Sequence, residues 1–143
     1  MPKKNQAANG LQFSRQFTKE GVSPYEMFEY DYRTSVIKDP SGKVVFQMDN
    51  VEVPKQWSQI ATDILAQKYF RKAGVPQPDG TSGRETSVKQ VAHRMAYCWR
   101  IWGEQYGYFA SENDAQVFYD ELAYSILNQA CVPNSPQWFN TGL

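Results

Sequence analysis

The sequence is poor in the residues that build self-contained chemical centres, with one histidine and two cysteines, Cys98 and Cys131, among 143 residues. A lone imidazole cannot supply a multi-histidine metal cage. The cysteines show no C-x-x-C spacing, which argues against a resident zinc or iron–sulfur site. Charge of one sign is missing too. Fifteen Lys plus Arg stand against fifteen Asp plus Glu, so the excess of cations that neutralises phosphates in a dedicated nucleic-acid binder is absent. No apolar run nears the roughly 20 residues that span a bilayer. The lysines of Met1-Pro2-Lys3-Lys4 are followed by no secretory apolar stretch. The chain therefore reads as cytoplasmic, with reduced thiols and no nucleic-acid or membrane partner. Glycine-rich phosphate cradles of the G-x-G-x-x-G and G-x-x-x-x-G-K kinds are lacking as well.

What the sequence has in quantity is aromatic side chains, four Trp, nine Tyr and eight Phe. A chain of this length buries roughly 68% of its unfolded surface, enough for one self-sufficient domain. From Phe28 the even positions Phe28, Tyr30, Tyr32, Thr34 and Val36 are mostly apolar, whereas the odd ones, Glu29, Asp31, Arg33 and Ser35, are polar. That period of two predicts a half-buried strand with its aromatic face inward. Asp39-Pro40-Ser41-Gly42 has turn chemistry, and Lys43 to Met48 resumes the strand, so a hairpin is expected. Trp57, Ile60, Ala61, Ile64 and Leu65 then fall at helical spacing, predicting a helix from about Pro54 to Arg71 with a first-turn proline.

The Gly- and Pro-dense stretch 74–83 separates this half from an all-helical one. Val88, Val91, Ala92, Met95, Trp99 and Trp102 mark one face of a second helix, beginning near Thr86 and stopping at Gly103 to Gly107. Ser111-Glu112-Asn113-Asp114 has the form of a capping box. A third helix follows, with Ala115, Phe118, Tyr119, Leu122 and Ile126 inward and Pro133 ending it. Asp120-Glu121 reads as its solvated side. Lys3, Lys4, Arg15 and Lys19 read as a solvated basic tail.

Catalytic constellations are scarce. His93, on the flank of the second helix, reads as structural. Glu29 and Asp31 share a strand face and read as solvated carboxylates rather than an acid–base pair. Cys98 and Cys131 read as structural thiols, having no cationic neighbour in the pattern. The run from Cys131 to Leu143 combines Pro133, Pro136, Trp138 and Phe139 with short polar groups. It reads as an extended, strand-like segment that docks on, or continues into, something larger.

The segments Ser14-Arg15-Gln16-Phe17-Thr18, Val51-Glu52-Val53-Pro54, Trp57-Ser58-Gln59, Ala66-Gln67-Lys68-Tyr69-Phe70, Arg84-Glu85-Thr86-Ser87-Val88, Trp102-Gly103, Gly107-Tyr108-Phe109-Ala110 and Pro133-Asn134-Ser135-Pro136-Gln137-Trp138-Phe139-Asn140 resemble, in this order, the N-terminal region of class II, adenosylcobalamin-dependent ribonucleotide reductases. The likeness covers the chain from about Leu11 to Leu143. It implies a fold that is α+β and mainly α-helical, an N-terminal hairpin followed by three main helices and leading into a ten-stranded α/β barrel not contained in these residues. On this reading residues 1–10 are a flexible tail, 11–143 the N-terminal domain, and 134–143 the start of the barrel.

The resemblance further implies a ribonucleoside-diphosphate reductase that reduces ribonucleotides for DNA synthesis. In that family cobalt–carbon homolysis generates a thiyl radical on a barrel cysteine, and a cysteine pair supplies the electrons. Those cysteines lie beyond the position of Leu143. Cys98 and Cys131 match no catalytic motif, so the chain alone is expected to be inactive and to hold no catalytic or metal-binding residue. Ser135, with Asn134 beside it, is the implied contact to the substrate's phosphates, which a hydroxyl can bind without a titratable group. Implied partners are the ribonucleotide substrate and the remainder of the barrel, in cis or as a separate chain, with room for a homodimer. The alternative class is a stand-alone helical interaction module, or a nucleotide-binding regulatory module without catalysis.

Overall fold

The computed structural model describes residues 9–142; Lys3, Lys4 and most of the expected tail lie outside them. The chain forms two compact units, one of Phe28–Val91 and one joining Met1–Met27 to Ala92–Leu143. The architecture is α+β, a hairpin with helices, and the described residues contain no barrel.

In the Phe28–Val91 unit, β1 (Tyr30–Lys38) and β2 (Val44–Pro54) pair antiparallel, with Tyr30 opposite Pro54, Arg33 opposite Val51 and Ile37 opposite Phe46. The expected turn closes them. Asp39 Oδ1 accepts the backbone N–H groups of Ser41 at 2.8 Å and Lys43 at 3.0 Å, while Gly42 takes φ +86°, a conformation cheap only for glycine. The alternation is present, but its facing is the reverse of that expected. Tyr32 is 68% exposed, Thr34 and Val36 also face out, and Ser35 is fully buried. Arg33 drives this inversion by reaching inward, donating to the carbonyls of Trp57 and Lys55 and to Thr62 Oγ1 at 3.2 Å. A guanidinium that satisfies otherwise orphaned carbonyls outweighs the burial of two half-apolar side chains.

Pro54 ends β2 rather than opening a helix. The first helix, α1 (Gln59–Ile64), starts after Ser58, whose Oγ accepts from Ala61 N at 3.1 Å. It passes into a wider five-residue helical segment, Leu65–Tyr69. Trp57, Leu65, Ala66 and Phe70 are buried, whereas Ile60 and Ile64 of the expected inner face are exposed. The stretch 74–83 holds a two-residue ladder, β3 (Val75–Pro76) against β4 (Ser82–Gly83).

The second helix, α2 (Val88–Gln105), begins within this unit and ends in the other. Its start is pinned to β2. Glu52 N donates to Thr86 O at 3.0 Å, and the Glu52 carboxylate accepts from Ser87 Oγ, from Lys89 Nζ at 3.0 Å and from Tyr32 OH at 2.9 Å. Burial pushes the Glu52 pKa up, but these donors together hold it below the usual carboxylate value. Lys89 Nζ also lies 3.9 Å from the centre of the Tyr30 ring.

In the other unit α2 ends at Gly103 to Gly107, as expected. Gly103 is required by packing, since a Cβ there would sit 2.4 Å from the Phe109 ring. α3 (Glu112–Leu127) opens on Ser111, whose Oγ accepts from Asp114 N at 3.1 Å. Pro133 does not end it. Asn128 closes the helix and Gln129 turns left-handed at φ 56°. The inward side also differs from expectation, because Ala115, Val117, Ala123, Ile126, Leu127 and Asp120 are buried while Phe118, Tyr119 and Leu122 are half-buried.

Asp120 is 5% exposed rather than solvated, and Arg15 is bound rather than free in a tail. Arg15 Nη1 reaches Asp120 Oδ2 at 2.8 Å, and Gln116 Nε2 reaches the other oxygen at 2.8 Å. The same segment is strapped to α3 by backbone donors, Phe13 N to Asp114 at 2.9 Å and Thr18 N to Glu121 at 2.9 Å.

Candidate functional site

The terminal run is a short helix, α4 (Ser135–Asn140), instead of the expected extended segment. Pro136 explains the difference, because a proline in the first helical turn costs no hydrogen bond. Asn134 precedes the helix with ψ 155°, and its carbonyl accepts from Gln137 N at 2.9 Å. Trp138 is buried in this same unit, and its indole N–H donates to Pro133 O at 2.7 Å, which fixes the entry to the turn. The exit is fixed by α2, where buried Arg94 donates from Nη1 to Thr141 O at 3.0 Å. Gly142 follows at φ +76°, and a Cβ there would lie 2.5 Å from Arg94 O.

The two residues expected to touch substrate therefore sit side by side on a clamped turn. Asn134 and Ser135 are both exposed, and Asn134 makes no side-chain capping bond. A hydroxyl and an amide at the first turn of a helix, where the peptide dipoles leave partial positive charge, are suited to an anionic oxygen. No titratable group lies in the turn itself. Sequence reasoning missed Arg94 and Gly142, the residues that hold it. The signal available was a lone arginine on the apolar stripe Val91, Arg94, Met95, since a cation placed there needs a specific acceptor.

His93 is structural in its contacts. Its Nδ1 lies 2.7 Å from Tyr119 OH, which lies 2.7 Å from Tyr25 OH. Burial lowers the His93 pKa, favouring neutral imidazole, and burial first of all raises that of Tyr119. Glu29 pairs with Lys55 at 2.9 Å and Asp31 with Arg33 at 3.2 Å, so neither carboxylate is arranged for acid–base work with the other. Cys98 and Cys131 are free, half-exposed thiols.

Among the described residues no group of three or more His, Cys, Asp and Glu side chains is gathered to hold a metal, and no helix is long and apolar enough to cross a membrane. Two open cavities of the Met1–Met27 and Ala92–Leu143 unit measure about 420 and 310 Å³. They are at the small end of sites for drug-sized ligands and do not fit a corrin ring with its appended nucleotide.

Fold and site together define an α+β segment that presents a clamped polar turn. The profile of the class II vitamin B12-dependent ribonucleotide reductases matches residues 31–129. A vitamin B12-dependent ribonucleotide reductase of Bradyrhizobium diazoefficiens is 45% identical over 93% of the chain, and one of Agrobacterium fabrum is 44% identical over 93%. One of Streptomyces clavuligerus is 42% identical over 98%. The chain belongs to the class II vitamin B12-dependent ribonucleotide reductase family and corresponds to its N-terminal region. It spans 13%, 13% and 14% of the length of these three relatives.

Proposed function

We propose that this chain is the N-terminal scaffold of an enzyme that reduces ribonucleotides to deoxyribonucleotides, using adenosylcobalamin and a thiyl radical carried by the part of the enzyme outside these residues. The carrying observation is the family match along almost the whole chain combined with a chain that is only 13% of its relative. Neither thiol present falls in a catalytic motif, so radical generation and reduction belong to the remainder, a ten-stranded barrel. The role of this segment is to support that barrel, which begins at about Asn134, and to offer Ser135, with Asn134, to the substrate's phosphates. The enzyme acts in the cytoplasm.

The test joins this chain, through residue 143, to the remainder of the Bradyrhizobium diazoefficiens reductase. The joined protein reduces ribonucleotides when adenosylcobalamin is supplied, and the 143-residue chain does not. Ser135→Ala in the joined protein raises KM about five- to tenfold, the worth of one hydrogen bond to a charged group, with kcat little changed. A KM equal to that of the parent removes the turn from substrate contact.

A further inference from the structure

The helix α2 carries two apolar stripes. One, including Val88, Val91, Ala92, Met95 and Ala96, is fully buried. The other, Tyr97, Ile101 and Trp102, is 46%, 37% and 49% exposed. Helices of soluble proteins ordinarily keep such a second stripe polar, and an uncovered one marks a surface that binds something. With His93, Arg94, Cys98 and Gly142, these three side chains line a shallow groove of about 310 Å³. The His93 ring stacks on Tyr97, centroids 5.1 Å apart and planes 19° from parallel, so two of the lining side chains are held against each other.

What covers the groove is indicated by the path of the chain. The polypeptide leaves α4 at the groove itself, because Gly142 is one of the lining residues. Its direction there is fixed by the bond from Arg94 to Thr141 O and by the close approach of Gly142 to the Arg94 backbone. In the relatives the region matched is only 13% of the polypeptide. Whatever follows in such an enzyme is delivered to this groove on a short tether, at an effective concentration on the order of millimolar.

Resting on the reading of the chain as the scaffold of a longer reductase, we infer that the Tyr97–Ile101–Trp102 groove is the seat of the polypeptide that follows this segment in the complete enzyme. The occupant is apolar, to match the Tyr97, Ile101 and Trp102 side chains that it covers. Burying Trp102 and Tyr97 in this way anchors the scaffold to the remainder through α2, the same helix whose Arg94 holds Thr141 O after α4.

Cys98 reports on the groove without altering it. Maleimide labelling, quantified by peptide mass spectrometry and normalised to the rate in urea, compares the 143-residue chain with the joined reductase. Labelling of Cys98 falls about tenfold or more in the joined protein, and Ile101→Glu restores it. Equal labelling in a joined protein that reduces ribonucleotides overturns the inference and leaves the functional reading standing. Labelling of the short chain that slows as its concentration rises identifies a second copy as the occupant and also overturns it. A folded joined protein without reductase activity sinks the functional reading and this inference with it. Hydroxyl-radical footprinting of the intact Bradyrhizobium diazoefficiens enzyme needs no joined protein. Protection of the stretch aligned with Tyr97–Trp102 supports the seat, and strong modification there overturns it.

Discussion

Gly142 and Asp120 show how much rests on single positions. At Gly142 the left-handed φ of +76° and the Arg94 carbonyl 2.5 Å from a would-be Cβ act together. Gly142→Ala therefore costs about 1–3 kcal/mol, combining left-handed strain with a backbone clash. Urea unfolding of the chain should show a lower midpoint at constant slope; an unmoved midpoint would mean that the turn is not clamped. Asp120 is the opposite case, a charge in the core whose cost is offset by Arg15 and Gln116. Removing only the carboxylate leaves the Arg15 guanidinium, 17% exposed in its side chain, without its counter-charge. Asp120→Leu should destabilise by about 2–4 kcal/mol, slightly less than a fully buried pair. The double variant Arg15→Met/Asp120→Leu should be more stable than Asp120→Leu alone, a coupling that a double-mutant cycle measures. Strict additivity would make the pair incidental.

At the scale of elements, the strap before the hairpin is held to α3 by ionised carboxylates, and this gives it a pH dependence. The Asp114 pKa is lowered chiefly by the Ser111 hydroxyl, helped by the N–H of Phe13. For Glu121 burial raises the pKa, but the hydroxyl and N–H of Thr18 and the N–H of Phe17 lower it by more in sum. A carboxylate whose folded pKa lies below its unfolded one stabilises fully above the unfolded value of about 4, and this is lost as pH falls through the folded values. Amide exchange at Phe13, Phe17 and Thr18 should therefore accelerate below about pH 4, ahead of amides inside α3, when local opening is followed by NMR. Simultaneous loss of protection in both would refute a separately held strap. These elements also mark the limit of what sequence reveals. The Asp39–Gly42 turn, the Ser111 cap and the first half of the α2 stripe, Val88 to Met95, are local and legible, whereas Trp102 of that expected face is 49% exposed and Trp99 half-buried. The facing of β1 is not legible, because Arg33 finds its acceptors more than twenty residues away, at Lys55 and Trp57. Asp120 looked solvated because its partner lies 105 residues earlier. In the candidate site Ser135 and Asn134 rest on family likeness alone, and the clamp of Arg94 on Thr141, 47 residues apart, is not legible in the sequence. The two prolines suggest extended backbone, but Pro136 is equally suited to begin a helix.

For the whole molecule, the scarcity of cysteine and histidine accords with the proposal that the chemistry lies in the remainder of the enzyme. On the proposed function electrons pass between thiols, and this segment has two, neither in a catalytic motif and both half-exposed. Cys131 follows the left-handed Gln129, its N–H bonded to Ser125 O at 3.1 Å, in a backbone setting that any residue of its size can occupy. If the thiyl and the reducing pair reside in the remainder, Cys131→Ser in the joined reductase should leave kcat within about twofold of the parent, because serine keeps the volume and cannot carry sulfur redox chemistry. A fall in kcat of about a hundredfold or more at unchanged KM would instead place a sulfur of this segment in the reaction. The steady-state measurement decides between a scaffold whose contribution is positional, through the Asn134–Ser135 turn and the α2 groove, and one that takes part in electron transfer.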